Sequence, residues 1–232
     1  MKRIIAGVDE VGRGSLIGPV YAAAVILKNS IDKKKLKDSK KLSKAKRENL
    51  EKYIKKNSYW SVGSATLHEI EKLNILNASL LAMKRAIKKL NKKPSRILID
   101  GNRVPKMKNY NLKYVVKGDE KIPEISAASI IAKVARDKFI ISLSKKNKGY
   151  YWDKNFGYGT KQHLKALKKL GITQNNRIKT QNTHSISEPG LWLVGYGNWT
   201  GFASATIYGV GKTAKQTVEE IANFFNNNST QQ

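Results

Sequence analysis

The chain has 232 residues and no cysteine, which leaves room for one substantial domain with an appendage and excludes disulfides and thiolate metal sites. Its net charge of +28 favours a polyanionic partner such as nucleic acid; a lysine- and asparagine-rich bias of the source would also raise the charge, and a basic membrane-surface protein would look similar. No stretch is long and apolar enough to span a membrane, a strand begins too early to leave room for a signal peptide, and the absence of cysteine fits a reducing compartment, so the cytoplasm is expected.

In chain order, residues 3–9 and 20–27 read as strands joined by a turn from Gly12 to Pro19. Ser43 caps a helix that runs to Lys55, and Tyr59 to Thr66 reads as a third strand. Leu67–Leu73 and Ile75–Leu90 are helical, the second with Leu76, Leu80, Met83 and Ile87 on one face. Arg96–Asp100 and Leu112–Val116 are short strands, and Ile125–Ser144 and Lys161–Leu170 are helices. Strands alternating with helices after an initial hairpin predict an α/β fold with a mixed central sheet.

The basic excess stops abruptly. From His184 to Gln232 there are two lysines, no arginine and three glutamates, a net of −1. Residues 1–183 are therefore expected to form the main domain and residues 184–232 an atypical extension, with the boundary near Glu188-Pro189-Gly190.

Three apolar runs end in acids: Val8-Asp9-Glu10, Ile99-Asp100-Gly101 and Val116-Lys117-Gly118-Asp119. Carboxylates at the ends of buried strands need a cationic counterpart, and hard divalent ions take oxygen ligands. If the three strands are neighbours, four carboxylates meet on one edge, where two divalent ions would offset their repulsion and act on a phosphodiester. Each acid taken alone could instead cap a turn. Asp9 and Glu10 alternate across a strand, so both serve one site only if the strand ends, bends or bulges there, or if the ion is approached from two sides. The Gly12-Arg13-Gly14 turn lets backbone approach a ligand closely and adds guanidinium donors for a phosphate.

Seven segments stand in an order and spacing that resemble ribonuclease HII, the type 2 ribonuclease H of bacteria. They are Gly7-Val8-Asp9-Glu10-Val11-Gly12-Arg13-Gly14, Asp38-Ser39-Lys40-Lys41-Leu42-Ser43, Leu73-Asn74-Ile75-Leu76, Ile99-Asp100-Gly101-Asn102-Arg103, Val116-Lys117-Gly118-Asp119, Ile125-Ser126-Ala127-Ala128-Ser129-Ile130-Ile131-Ala132-Lys133-Val134 and Gly157-Tyr158-Gly159-Thr160-Lys161-Gln162-His163. The likeness covers about residues 1–172. It implies a ribonuclease H-like fold, cleavage of the RNA strand of RNA–DNA hybrids and incision at single ribonucleotides embedded in duplex DNA. It also implies Mg²⁺ or Mn²⁺, two ions during catalysis, held by Asp9, Glu10, Asp100 and Asp119. Gly12, Arg13 and Gly14 would read the ribose 2′-hydroxyl, the group that separates RNA from DNA locally. Tyr158 would pack against the adjoining deoxynucleotide sugar.

Lys40, Lys41 and Lys117 are candidates for phosphate contacts, against the alternative of solvated lysines in a lysine-rich chain. Asp137 reads as supporting rather than ligating, His68 and His163 as structural or phosphate-proximal, and Trp60 and Trp152 as core or rim aromatics. A monomer is expected.

The likeness fades after Gly171-Ile172-Thr173. From about residue 183 to 225 the chain weakly resembles the C-terminal end of FAD-dependent monooxygenase-like flavoproteins, on Pro189–Gly201, Ala203–Ile207 and Gly209–Thr213. Asn198 replaces the usual acid, and no Gly-x-Gly-x-x-Gly unit precedes the segment, so no flavin is expected. Two competing readings are a basic nucleic-acid binding protein without catalysis and a flavin-enzyme fragment. The acids argue against the first, because a pure binder gains nothing from carboxylates facing phosphates.

Overall fold

A computed structural model describes residues 4–36 and 42–169, and the backbone of short paired segments at Thr173–Gln174 with Arg177–Ile178 and at Thr180–Gln181 with His184–Ser185. The expected strand at Leu191–Tyr196 and helix at Ala214–Phe225 lie outside the described residues, as do Lys40 and Lys41. The chain divides into two compact units: Met1–Gly14, Gly18–Thr66 and Leu76–Ile140 form one, and Ser15–Ile17, Leu67–Ile75 and Ile141–Gln232 form the other. The split of the chain at residue 183 remains an expectation.

In the first unit, β1 (Ile5–Val11), β2 (Val20–Leu27), β3 (Ser58–Ala65), β4 (Arg96–Asp100) and β5 (Leu112–Val115) form one sheet in the order β3-β2-β1-β4-β5. The β1–β2 and β2–β3 pairs are antiparallel, whereas β1–β4 and β4–β5 are parallel. This is the expected mixed α/β sheet. The three strands that end in acids are neighbours and run the same way.

Helices cover both faces of the sheet. On one side, α1 (Lys44–Lys56) and α4 (Pro123–Lys146) close a core of Ala23, Val25, Leu36, Ile54, Ala127, Ile131 and Val134. Burying each large aliphatic side chain there stabilises the fold by about 1.5–3 kcal/mol. The Ser43 hydroxyl accepts from Lys46 N–H at 3.4 Å, which caps α1 as the sequence predicts. The small-residue start of α4 seats its backbone directly on Gly7 of β1, where a Cβ would collide with Glu124. On the opposite face, α2 (Leu67–Lys89) packs through Ala82 and Ala86, and Ser61 Oγ donates to the Ala86 carbonyl at 2.6 Å. Asn74, with φ of 67°, interrupts α2 between the two helical segments read from the sequence.

In the second unit, α5 (Trp152–Asn155) and α6 (Lys161–Lys169) flank the Gly157–Thr160 loop. Ser15 pairs with Tyr158 as an isolated bridge, and Leu16 N–H donates to the Gly157 carbonyl at 2.8 Å. No helix among the described residues is long and apolar enough to cross a membrane.

Candidate active site

The register of the sheet sets where each acid lies. Val8 of β1 pairs with Ile99 of β4, so Asp9 and Asp100 follow side by side at the carboxyl ends of two parallel strands. Both lie on the face covered by α4, because Asp9 aligns with Ala23 and Asp100 is two residues on from Leu98, the partner of Gly7. Glu10 aligns with Ala22 and Gly63 and therefore lies on the α2 face.

No bulge brings Asp9 and Glu10 to one side. The β1–β2 ladder stays regular through Val11 paired with Tyr21, so the two carboxylates flank the open strand end from opposite faces. The strand therefore neither bends out of the ladder nor bulges between Asp9 and Val11. The β1–β4 pairing stops at Val8, which leaves that flank of Asp9 and Glu10 free of ladder partners.

The acids sense one another. Asp9 is buried, and desolvation pushes its carboxyl well above the usual carboxylate range; the charges of Glu10 and Asp100 push it further, and a hydrogen bond from Ser129 of α4 opposes the shift. Glu10 is raised by burial and by Asp100, against a salt bridge to Arg13 Nη1 at 3.1 Å. Glu10 N–H donates to Asp9 Oδ1 at 2.8 Å. Asp100 Oδ1 accepts from Gly118 N–H at 2.6 Å. Gly118 opens the short helix α3 (Gly118–Lys121), in which Asp119 is buried.

Lys117, immediately before α3, is exposed and holds a left-handed backbone with φ of 54°. A lysine in that region is uncommon and marks a constrained turn beside the acids. Arg13 is half exposed, and Gly14 is exposed.

Among the described residues, no group of three or more His, Asp or Glu side chains is arranged to hold an ion as it stands. Glu10 is turned to Arg13 and Asp100 to Gly118. The donor set nevertheless suits a hard divalent cation, because it consists of carboxylates alone, and burial first and their mutual repulsion second raise Asp9 and Glu10.

Tyr158 belongs to the second unit, is half buried, and is bridged to Ser15, the residue after Gly14 in the chain. His163 is completely buried, so it is structural and not phosphate-proximal. Trp152 Nε1 donates to His163 Nε2 at 3.1 Å, and His163 Nδ1 lies 3.0 Å from the Tyr158 carbonyl. His68 is exposed. Trp60 is a rim aromatic with Lys55 Nζ 4.2 Å from its ring centroid. Asp137 meets Lys133 at 2.6 Å and Arg47 at 3.5 Å.

Sequence reading missed Ser129 as a partner of Asp9 and Arg136 as a partner of the glycine turn. The first was legible only as one of several small residues opening α4. The second left no local mark, because a polar residue within a helix carries no sign of its burial.

The family model for ribonuclease HII matches residues 6–186, beyond Thr173, where the motifs fade. It does not reach the bulk of the flavoprotein-like segment. Ribonuclease HII of Pelagibacter ubique (strain HTCC1062) is 73% identical over 175 residues, covering 75% of this chain and 94% of the relative. That of Neisseria meningitidis serogroup B (strain ATCC BAA-335 / MC58) is 52% identical over 178 residues, covering 76% and 92%. Among solved structures, the PCNA:RNase HII complex from Archaeoglobus fulgidus aligns with a TM-score of 0.61 at 28% identity, covering 72% of this chain and 87% of that one. Ribonuclease H2 from Pyrococcus horikoshii OT3 aligns with a TM-score of 0.59 at 28% identity, covering 73% and 90%. The motifs, the strand order and these matches agree: the chain belongs to the ribonuclease HII family.

Proposed function

We propose that Asp9, Glu10, Asp100 and Asp119 hold divalent ions, and that Gly12, Arg13, Gly14 and Tyr158 select the ribonucleotide to be cut. As a member of its family the chain is an endoribonuclease that cleaves RNA in RNA–DNA hybrids. The observation that carries the residue assignment is the alignment of Asp9 and Asp100 on neighbouring parallel strand ends, with Glu10 reaching the same end from the other face.

Bound there, Mg²⁺ or Mn²⁺ would offset the carboxylate repulsion, activate a water and stabilise the leaving oxygen of the phosphodiester. The chain's own residues do the rest. Ser129 orients Asp9, Gly118 N–H orients Asp100, and Arg13 holds Glu10 until substrate competes for the guanidinium. Gly14 presents bare backbone where a ribose 2′-hydroxyl would be read. Tyr158 would lie against the deoxyribose that adjoins the ribonucleotide, leaving no room for a second hydroxyl. Lys117, Lys40 and Lys41 are proposed phosphate contacts, and the partners are RNA–DNA hybrids and duplex DNA carrying single ribonucleotides.

The test is incision of duplex DNA bearing one ribonucleotide, with and without Mg²⁺ or Mn²⁺. Cutting is expected only with the ion, and Arg13→Ala and Tyr158→Ala are each expected to slow it by more than about tenfold, the cost of one lost hydrogen-bonding or packing contact at a transition state. Wild-type rates in both variants would place the ribose sensor elsewhere. Binding without any cutting would favour a basic nucleic-acid binding protein.

A further inference from the structure

Arg136 of α4 is completely buried, an unusual place for a guanidinium. Its Nε donates to the Pro19 carbonyl at 3.1 Å. The same side chain occupies the space that a Cβ at Gly12 would need: that atom would stand 2.5 Å from Nε, 3.0 Å from Cδ and 3.0 Å from the Pro19 oxygen. At the other end of the turn, a Cβ at Gly18 would stand 2.6 Å from Ile140 Cδ1 and 3.6 Å from Arg136 Nη2. Gly12 and Gly18 hold left-handed backbones, with φ of 107° and 80°.

Gly14 differs from both. A Cβ there meets nothing within 4 Å, and its φ lies outside the left-handed region. The two glycines around Arg13 therefore have different reasons to be glycine. Gly12 makes room for a buried arginine, whereas Gly14 leaves backbone open to whatever approaches from outside.

We propose that Arg136 is a positioning residue for ribose recognition: its buried guanidinium spans from Gly12 to Pro19 and fixes the backbone of the Gly12-Arg13-Gly14 turn. Discrimination between ribose and deoxyribose then depends on a side chain that does not itself touch nucleic acid. The inference rests on reading this turn as the 2′-hydroxyl sensor. A lysine at 136 keeps the charge but loses the planar fork that can bridge both ends of the turn, and a glutamine loses both charge and reach.

The test compares the affinity for duplex DNA carrying one ribonucleotide with the affinity for the same all-DNA duplex. It uses the full chain with Mg²⁺ in an Asp100→Asn background, which leaves the substrate intact. A ratio of two affinities does not depend on how much of a preparation is folded, so a merely structural loss leaves it unchanged. Arg136→Lys and Arg136→Gln are expected to lower the ratio at least tenfold while circular dichroism stays native. An unchanged ratio in a folded variant overturns the proposal. So does a failure of both variants to fold, which would make Arg136 a residue of the fold alone. Arg13→Ala and Gly14→Ala separate the two readings. If both keep the ratio, the turn is not the sensor and the inference falls with that reading. If they lose it while the Arg136 variants keep it, the inference alone falls.

Discussion

Gly118 N–H donates to Asp100 Oδ1 at 2.6 Å and so ties the start of α3 to the last residue of β4. The bond joins two of the three acid-terminated runs, because Asp119 follows Gly118 directly. A backbone amide aimed at a carboxylate fixes its orientation. One oxygen of Asp100 is thereby assigned to the protein.

Substitution of Asp9 or Asp100 by Asn keeps the shape and removes the charge. Losing a group that merely orients a metal ligand costs 10–100-fold, so loss of a ligand is expected to cost more than about 100-fold in cleavage. Hybrid binding is expected to persist, since it depends mainly on cations meeting phosphate. Single-turnover cleavage and a binding titration on the same preparations check this. Full activity in either variant would remove that acid from the site.

The end of β4 was legible because an apolar β-rich run stops sharply at Asp100, whereas β1 runs on through Glu10 to Val11, two residues past the end expected at residue 9. The β4 run matches the sequence reading residue for residue at Arg96–Asp100. Asn74 was legible as a break because helical periodicity restarts after it. What the sequence could not give was side-chain direction at the edge. Whether Asp9 and Glu10 share a face depends on the β2 register, a long-range pairing that leaves no local mark. Arg136 and His163 were illegible for a related reason. A polar residue in a helix carries no sign of burial until the turn or indole that receives it is in place.

His163 supplies a pH test. Its imidazole is completely buried, and desolvation pushes its pKa below the ordinary 6.5, with the Tyr158 carbonyl opposing the shift. The neutral ring donates from Nδ1 to that carbonyl and accepts from Trp152 at Nε2, which protonation would forbid. A depressed folded-state value means that the unfolded chain takes the proton first. Stability is therefore fully present above about pH 6.5 and is lost as pH falls towards the folded value, by up to about 1.4 kcal/mol per pH unit. Denaturant unfolding between pH 7.5 and 5 is expected to show this slope in wild type and a shallower one in His163→Gln. Equal slopes would mean that the ring is free to charge in the folded protein.

The last prediction concerns residues beyond the family match, which ends at residue 186. The short pairing of Thr180–Gln181 with His184–Ser185 lies within that match, so a cut belongs after Ser187 and not at the change in charge near 183. Beyond the cut, the two lysines are outweighed by three glutamates, and none of the proposed ion-binding or ribose-reading residues is present. Affinity for nucleic acid follows the number of cations that meet phosphate, so the shortened chain is expected to bind and incise within about threefold of the full chain at equal salt. The salt dependence of binding should also be unchanged, since no phosphate-neutralising lysine is expected to be lost. The full chain should purify without the absorbance of a flavin, because no dinucleotide-binding glycine unit precedes the flavoprotein-like segment. A yellow preparation, or a shortened chain that cannot fold or cut, would make the extension an integral part of the enzyme.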